Sequence, residues 1–362
     1  ILIGFNNKTG GRNFLLVAFL LRAIFVIVDQ YGLINLPDSY MDAAKFERIA
    51  VEFSRNQGIF IVSDFFIPDS LLISRIIAFF YSIFGESKMM AKCISLGLGV
   101  GSVYLVYKLS LILWDHSSAK KAAWITAIFP TLVLYSSITL RESYIVFFLL
   151  IGLIGIVKFM KENSLISYLQ IVASFFILIF FHGPVAVGGF LFLLYLILQL
   201  SKKQLINIYH NKINLIAFFF IILSLIPLIL LFTGSIKIPY LGSVKSLFFL
   251  DQYIVRINNY MYDTATYPSW LKINNSYEFF TKGVIKVFYF LYSPFIWDIK
   301  TPFHLLGLFD GTLYIMLTIY VIKNLNAIKE NPLALVIIYL FIAYTIIYRL
   351  AVGNFGTGIR HR

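Results

Sequence analysis

Charge is what this sequence has least of, and cysteine is almost absent. Asp, Glu, Lys and Arg make up only 13% of 362 residues, too few to cover the surface of a soluble domain of this length. That deficit excludes a water-soluble fold. Cys93 is the single cysteine, which excludes an intrachain disulfide and a thiolate metal cluster; within an apolar run it reads as a small core residue. Acids are scarcer than bases, 17 against 30. No Walker A, GxSxG, HExxH or GxGxxG pattern occurs, so nucleotide-driven transport and zinc or haem chemistry gain no support. No internal repeat of the inverted kind found in secondary transporters is visible, and no linker or low-complexity tail divides residues 1–362, which read as one membrane domain.

What is abundant is apolar: 60% of the residues are hydrophobic and the mean hydropathy is +0.85. Eleven apolar stretches lie at about 13–29, 69–85, 89–114, 120–138, 142–160, 165–181, 184–200, 212–234, 282–297, 303–322 and 333–350. Each reads as long enough to cross a hydrocarbon core roughly 30 Å thick. They lack the alternation of barrel strands, so the fold class is all-α, a polytopic helical membrane protein. The first run is too long for a signal peptide and lacks a small-residue cleavage site.

The excess of 13 positive charges would suggest nucleic acid in a soluble protein. Here much of it sits in short loops, where it sets topology and meets anionic membrane lipid instead. With 69–85 and 282–297 lying in the interface or re-entering, Lys120, Lys121, Lys158, Lys161, Lys202, Lys203, Lys212, Lys323 and Lys329 all fall inside. The acids outside then include Asp38, Asp42, Glu47, Glu142, Asp251, Glu278 and Asp298. About nine transmembrane helices result, with external amphipathic and re-entrant helices, and large external regions at 30–88 and 235–302.

Four places could carry chemistry. In LPDSYMDAAKFERIA (36–50), Pro37, Asp38 and Ser39 read as a turn and helix N-cap opening an amphipathic helix on the outer face. Asp38 and Asp42, four apart, project from one side of its first turns; they serve either as cap and dipole partners or as a general base or metal ligands. Arg141 and Glu142, in SSITLRESY (136–144), stand near membrane depth, where charges pair with one another or serve a substrate. His182, in FFHGPV (180–185), is a capping residue or a catalyst. In RLAVGNFGTGIRHR (349–362), Arg360, His361 and Arg362 put basic residues on the disfavoured outer side, as phosphate forks or as a headgroup anchor. The second external loop adds Arg256, with Tyr267 and Trp297 as aromatic platforms for sugar rings.

The order of these features resembles the N-terminal module of the GT-C superfamily of membrane glycosyltransferases over about residues 13–200. It rests on D-A-x-x-F-E-x-x-A from Asp42, FGES (84–87), YLVYKLSLILWDHSSAKKAAW (104–124) and YSSITLRESY (135–144). Residues 201–362, with TATYPSWL (264–271), LYSPFIWDI (291–299), LLGLFDGTLY (305–314) and GNFGTGIRHR (353–362), are similar to bacterial surface-polysaccharide membrane proteins, among them candidate O-antigen or capsule polymerases. The resemblance implies a glycosyltransferase of the bacterial inner membrane with its active site at the periplasmic or extracellular face. Its donor would be a saccharide on a polyprenyl-(pyro)phosphate. Asp42 would be the base, with Asp38 beside it; Glu142 or Arg141 would hold acceptor or donor phosphate, and Arg141, Arg256, Arg360 and Arg362 would stabilise the leaving group. Polymerisation of lipid-linked repeat units is the favoured reaction, single-sugar transfer the alternative, and a lipid-linked oligosaccharide flippase the rival of another class. A chain-length regulator or another polysaccharide-assembly protein is the expected protein partner. The chain lacks the WWD-type motif and soluble C-terminal domain of metal-dependent oligosaccharyltransferases. No metal ligand set is therefore assigned, and a divalent cation is optional.

Overall fold

A computed structural model describes residues 11–67, 69–183, 185, 188–198, 219, 222, 225, 265–302, 304–352 and 354–361. Among these residues the chain is helical, and the one extended pairing is an isolated bridge between Thr266 and Asn354. The elements used below are α1 (Gly11–Gln30), α2 (Ala44–Gln57), α3 (Leu72–Phe84), α4 (Lys88–Leu113), α5 (His116–Ile128), α6 (Pro130–Tyr135), α7 (Arg141–Glu162), α8 (Leu165–Phe181), α9 (Gly188–Leu198), α10 (Ser276–Tyr292), α11 (His304–Lys323), α12 (Leu325–Glu330), α13 (Pro332–Ala351) and α14 (Phe355–His361).

Four of these, α1, α4, α7 and α11, are long and apolar enough to cross a membrane. Their faces are arranged for lipid. On α1 the exposed side is Leu16, Phe19, Leu20, Ile24 and Ile27, while the buried side carries Arg22 and Asp29. On α11 Leu305, Leu306, Phe309, Met316 and Ile319 face outward, while His304 and Asp310 are buried. Apolar side chains outside and ionisable ones inside are what hydrocarbon demands, because an ionised group there needs a protein partner. The segment 69–85 contracts to the 13 residues of α3, about 20 Å at 1.5 Å per residue, short of a crossing. It lies on α2, with Arg75 paired to Asp69 and stacked over Phe53.

One expected stretch is not a single helix. The run 120–138 breaks between Ile128 and Pro130, giving α5 and the six-residue α6. Pro130 supplies no N–H to continue the ladder and starts a new helix instead. Before the break, Ala119, Ala123 and Ala127 form a small-residue stripe packed on Phe14, Leu15 and Ala18 of α1 and Val103 of α4. Such stripes let backbones approach closely where no hydrophobic drive exists between helices.

Two bonds tie one end of the bundle together: Lys161 donates to the Ile112 carbonyl (2.9 Å) and Asn331 to that of Leu113 (2.8 Å). The C-termini of α4 and α7 and the N-terminus of α13 meet there, close in sequence to Lys120, Lys121, Lys158 and Lys329. The opposite end holds α2, α3, the start of α7, and α14, together with a buried Lys92–Asp29 pair at 2.8 Å joining α4 to α1.

Candidate functional site

The site is assembled around one guanidinium. After α13, residues 354–361 turn back over the bundle: the Phe355 amide donates to the Ala265 carbonyl (2.9 Å) and the Thr357 amide to Asn354 Oδ1 (2.6 Å). His304 meets Phe355 edge-on, with centroids 4.8 Å apart. Gly358 leaves room for the Tyr267 hydroxyl, which a Cβ there would meet at 3.2 Å. These contacts seat α14 so that Arg360 reaches across to two other parts of the chain. Its Nη1 donates to Asp42 Oδ2 at 2.7 Å and lies 3.6 Å from Asp38 Oδ1. Its Nη2 and Nε donate to Glu142 Oε1 at 3.1 and 3.3 Å. Arg141 Nε is 3.9 Å from the same oxygen.

Asp38 is not the helix cap that Pro37-Asp38-Ser39 suggests. It takes a left-handed conformation (φ 65°) and makes no side-chain cap bond; a π-helical turn, Ser39–Ala43, leads into α2. The left-handed residue turns the carboxylate toward Arg360 rather than back over the amides, a conformation that Asp tolerates better than most residues. Burial pushes the Asp38 carboxyl above its ordinary range; Arg360 opposes this, and Asp42 and Glu142 add to it. Three carboxylates face two guanidiniums in this cluster. Burial alone would lower the Arg360 pKa, but Glu142, Asp38 and Asp42 outweigh it and hold the group charged.

Two histidines close the cluster. His182, one residue beyond α8, stacks on His361 (centroids 4.9 Å, 15°), and Tyr348 lies 5.2 Å from His361. His182 therefore does more than cap α8. Both imidazoles sit well below their ordinary pKa: His182 through burial, then His361 and Arg141, and His361 through burial, then Arg360 and Arg141. The unfolded chain takes up protons below about pH 6.5 that the folded pair refuses, so this contribution is complete above pH 6.5 and is lost as pH falls below it. Acidification toward pH 5.5 is therefore expected to destabilise the folded chain through this pair. Thermal unfolding of the purified protein between pH 8 and 5.5 is expected to show this drop. The double variant His182→Asn/His361→Asn flattens it; an equal pH dependence in both proteins would contradict the assignment.

Beneath the cluster lies a cavity of about 210 Å³. Glu142, Arg360 and His361 form its head, Leu132, Ile145, Val146, Leu149, Phe290, Leu291 and Phe341 its walls, and Arg22, Ser102 and Ser136 further lining. Glu142 Oε2 is buried without a hydrogen bond among the described residues. Asp42 is the open member, its side chain 45% exposed.

Of the residues singled out by sequence, Asp38, Asp42, Arg141, Glu142, His182, Arg360 and His361 come together here. Arg256 and Arg362 lie outside the described residues. Tyr267 is only 2% exposed, its ring packed against Tyr289, and it borders the pocket that Trp270 and Trp297 line. Trp297, stacked on Phe295 at 5.0 Å, lines a separate external pocket with Trp270, Lys272 and Lys300. Asp298 accepts the Phe295 amide (3.0 Å) and lines the same pocket as Trp297. Sequence reasoning passed over Arg22 and Asp310. Asp310 is fully buried in α11 and accepts from Thr131 Oγ1 at 2.6 Å. Both carried a legible signal, an ionisable residue within a long apolar run.

As for a divalent cation, no group of three or more His, Cys, Asp or Glu placed to hold a metal occurs among the described residues. The Arg360 guanidinium occupies the space between the three carboxylates that a shared cation would need, so the residues as arranged do not fit one. Comparison of the chain with family models, with curated proteins and with solved structures finds no match to any of them.

Proposed function

We propose that this chain is a GT-C-like glycosyltransferase of a bacterial inner membrane, crossing it about nine times with the Arg360 cluster at the outer face. The observation that carries the reading is the joining of Asp38, Asp42 and Glu142 by Arg360 above a cavity with a charged head and apolar walls. A saccharide on a polyprenyl (pyro)phosphate has the same division: a polar, anionic end and a long hydrocarbon.

In this scheme Asp42 takes the proton from an acceptor hydroxyl, whose oxygen attacks the anomeric carbon. The bond from that carbon to the phosphate oxygen breaks, and the lipid (pyro)phosphate leaves with the bonding pair. Arg360 and Arg141 face the charge that grows on the leaving oxygen, and preorganised donors of this kind favour a transition state more than a ground state. Glu142 holds Arg360 in place, and its second oxygen is open to a substrate hydroxyl. Asp38, 3.6 Å from Arg360 Nη1, helps to hold the guanidinium beside Asp42. Polymerisation of lipid-linked repeat units is favoured over transfer of one sugar.

The test is surface-polysaccharide chain length in the native host carrying Asp42→Asn at matched membrane expression. Loss of long chains with single repeat units retained is the expected result. Full-length chains would remove Asp42 from the chemistry. A flippase remains the second reading, favoured by the buried intramembrane charges of Arg22 and Asp310; it predicts that even single repeat units fail to reach the surface.

A further inference from the structure

Arg22 lies in the middle of α1, only 1% exposed, and about 12 Å along the helix from Gln30 by the usual rise per residue. A guanidinium at that depth without a counter-charge is strongly disfavoured. Among the described residues Arg22 pairs with no carboxylate. Its Nε donates to Ser136 Oγ at 2.8 Å, and Nη1 donates to the Ala18 and Ala127 carbonyls at 3.0 and 3.1 Å. The Ala127 bond explains part of its presence, since the break before Pro130 frees carbonyls at the end of α5. It does not explain the charge, which a neutral donor would make unnecessary. Nη2 makes no hydrogen bond among the described residues, and Arg22 lines the cavity headed by Glu142 and Arg360. Space for the guanidinium is provided by Gly99, where a Cβ would stand 2.8 Å from Arg22 Nε and 2.5 Å from Ser136 Cβ.

We infer that Arg22 is a second, membrane-embedded anion subsite of this cavity, which takes a phosphate of the lipid carrier through Nη2. The inference rests on the reading of the cavity as the seat of a lipid-linked (pyro)phosphate. The two cations are unequal. Arg360 is already shared among three carboxylates, whereas Arg22 faces none among the described residues and has the larger unmet demand for negative charge. A phosphate that enters laterally from the bilayer meets Arg22 within the cavity and supplies that charge, leaving the saccharide toward the Arg360 cluster.

The experiment uses the full chain purified in detergent and measures binding of three probes: a polyprenyl phosphate, the uncharged polyprenol, and inorganic pyrophosphate. Two variants are compared with the wild type. Arg22→Gln removes the charge and keeps donors for the Ala127 carbonyl. Ser102→Asp keeps Arg22 and supplies a carboxylate from the cavity wall one turn from Gly99, so it tests the subsite even if Arg22→Gln fails to fold. Polyprenyl phosphate affinity is expected to fall at least tenfold in each variant, with polyprenol binding unchanged. Competition by pyrophosphate in the wild type and not in the variants would keep the anion subsite but assign it to free phosphate. Polyprenyl phosphate affinity within twofold of wild type in Ser102→Asp, or in a folded Arg22→Gln, would overturn the inference and leave Arg22 as a cap for α5. Because no turnover is read, a chain that binds through Arg22 yet forms no glycosidic bond would sink the transferase reading and keep this one.

Discussion

Arg360→Lys is expected to reach the membrane in near-normal amount and to lose activity by at least about a hundredfold, the scale set by removal of one preorganised transition-state donor. Lysine restores the positive charge among Asp38, Asp42 and Glu142, so the carboxylates keep a counter-ion. It cannot reproduce the planar fork that reaches Asp42 Oδ2 through Nη1 and Glu142 Oε1 through Nη2 and Nε. Arg360→Met is expected to do more damage of a different kind. Removing the cation leaves three carboxylates facing one another, and breaking a buried pair in this way costs about 3–5 kcal/mol. Membrane accumulation should therefore fall in the Met variant and not in the Lys variant. The measurement is quantitative blotting of membranes beside a chain-length ladder of the surface polysaccharide. Wild-type ladders from Arg360→Lys would show that Arg360 holds α14 in place and takes no part in transfer.

The second large effect is on folding. Gly311 in α11 passes the end of α10 so closely that a Cβ there would meet the Tyr292 carbonyl oxygen at 2.3 Å and its carbon at 3.0 Å. The obstacle is backbone, which has no rotamer to change, so relief requires the helices to separate. Overpacking of this kind costs about 1–3 kcal/mol and occasionally more. It would also disturb the neighbouring Asp310, whose hydrogen bond from Thr131 joins α11 to α6. Gly311→Ala should accumulate poorly and melt earlier than wild type. Gly97→Ala is the matched control: nothing lies within 4 Å of a Cβ at Gly97, and alanine favours a helix by about 1 kcal/mol over glycine. Equal behaviour of the two variants would mean that α10 and α11 do not cross this tightly.

The helical architecture was legible because its signal is composition at a fixed length. The run 165–181 reads directly as α8, and 142–160 as α7 with a turn added. The break at Pro130 was legible in principle, since a proline inside a helical run marks a boundary, yet apolarity continues through it and hid it. Glu142 was legible as a charge beside an apolar run and Arg360 as a basic residue on the side that positive-inside logic disfavours. What a linear sequence withholds is azimuth. Nothing in FLLRAIFV (19–26) says whether Arg22 faces lipid, a carboxylate or a cavity; that follows only from where Ser136 and Gly99 fall on neighbouring helices. Asp38 was misread for a related reason. Asp before a helical stripe is the usual sign of a cap, and neither its left-handed backbone nor the Arg360 guanidinium 3.6 Å away can be read from the local sequence. The burial of Tyr267 was not legible, because an aromatic residue in a loop looks the same in sequence whether it faces water or packs against a neighbour.

The proposed reaction at the Arg360 cluster is transfer of a sugar from a lipid phosphate. Its most direct test is the purified full chain in proteoliposomes supplied with a polyprenyl-pyrophosphate-linked repeat unit. The expected products are a ladder of longer lipid-linked saccharides and one polyprenyl pyrophosphate released for each unit added, with neither product from Asp42→Asn or Arg360→Lys. Movement of the unaltered lipid-linked saccharide across the bilayer, with no new glycosidic bond from the wild-type chain, would contradict it.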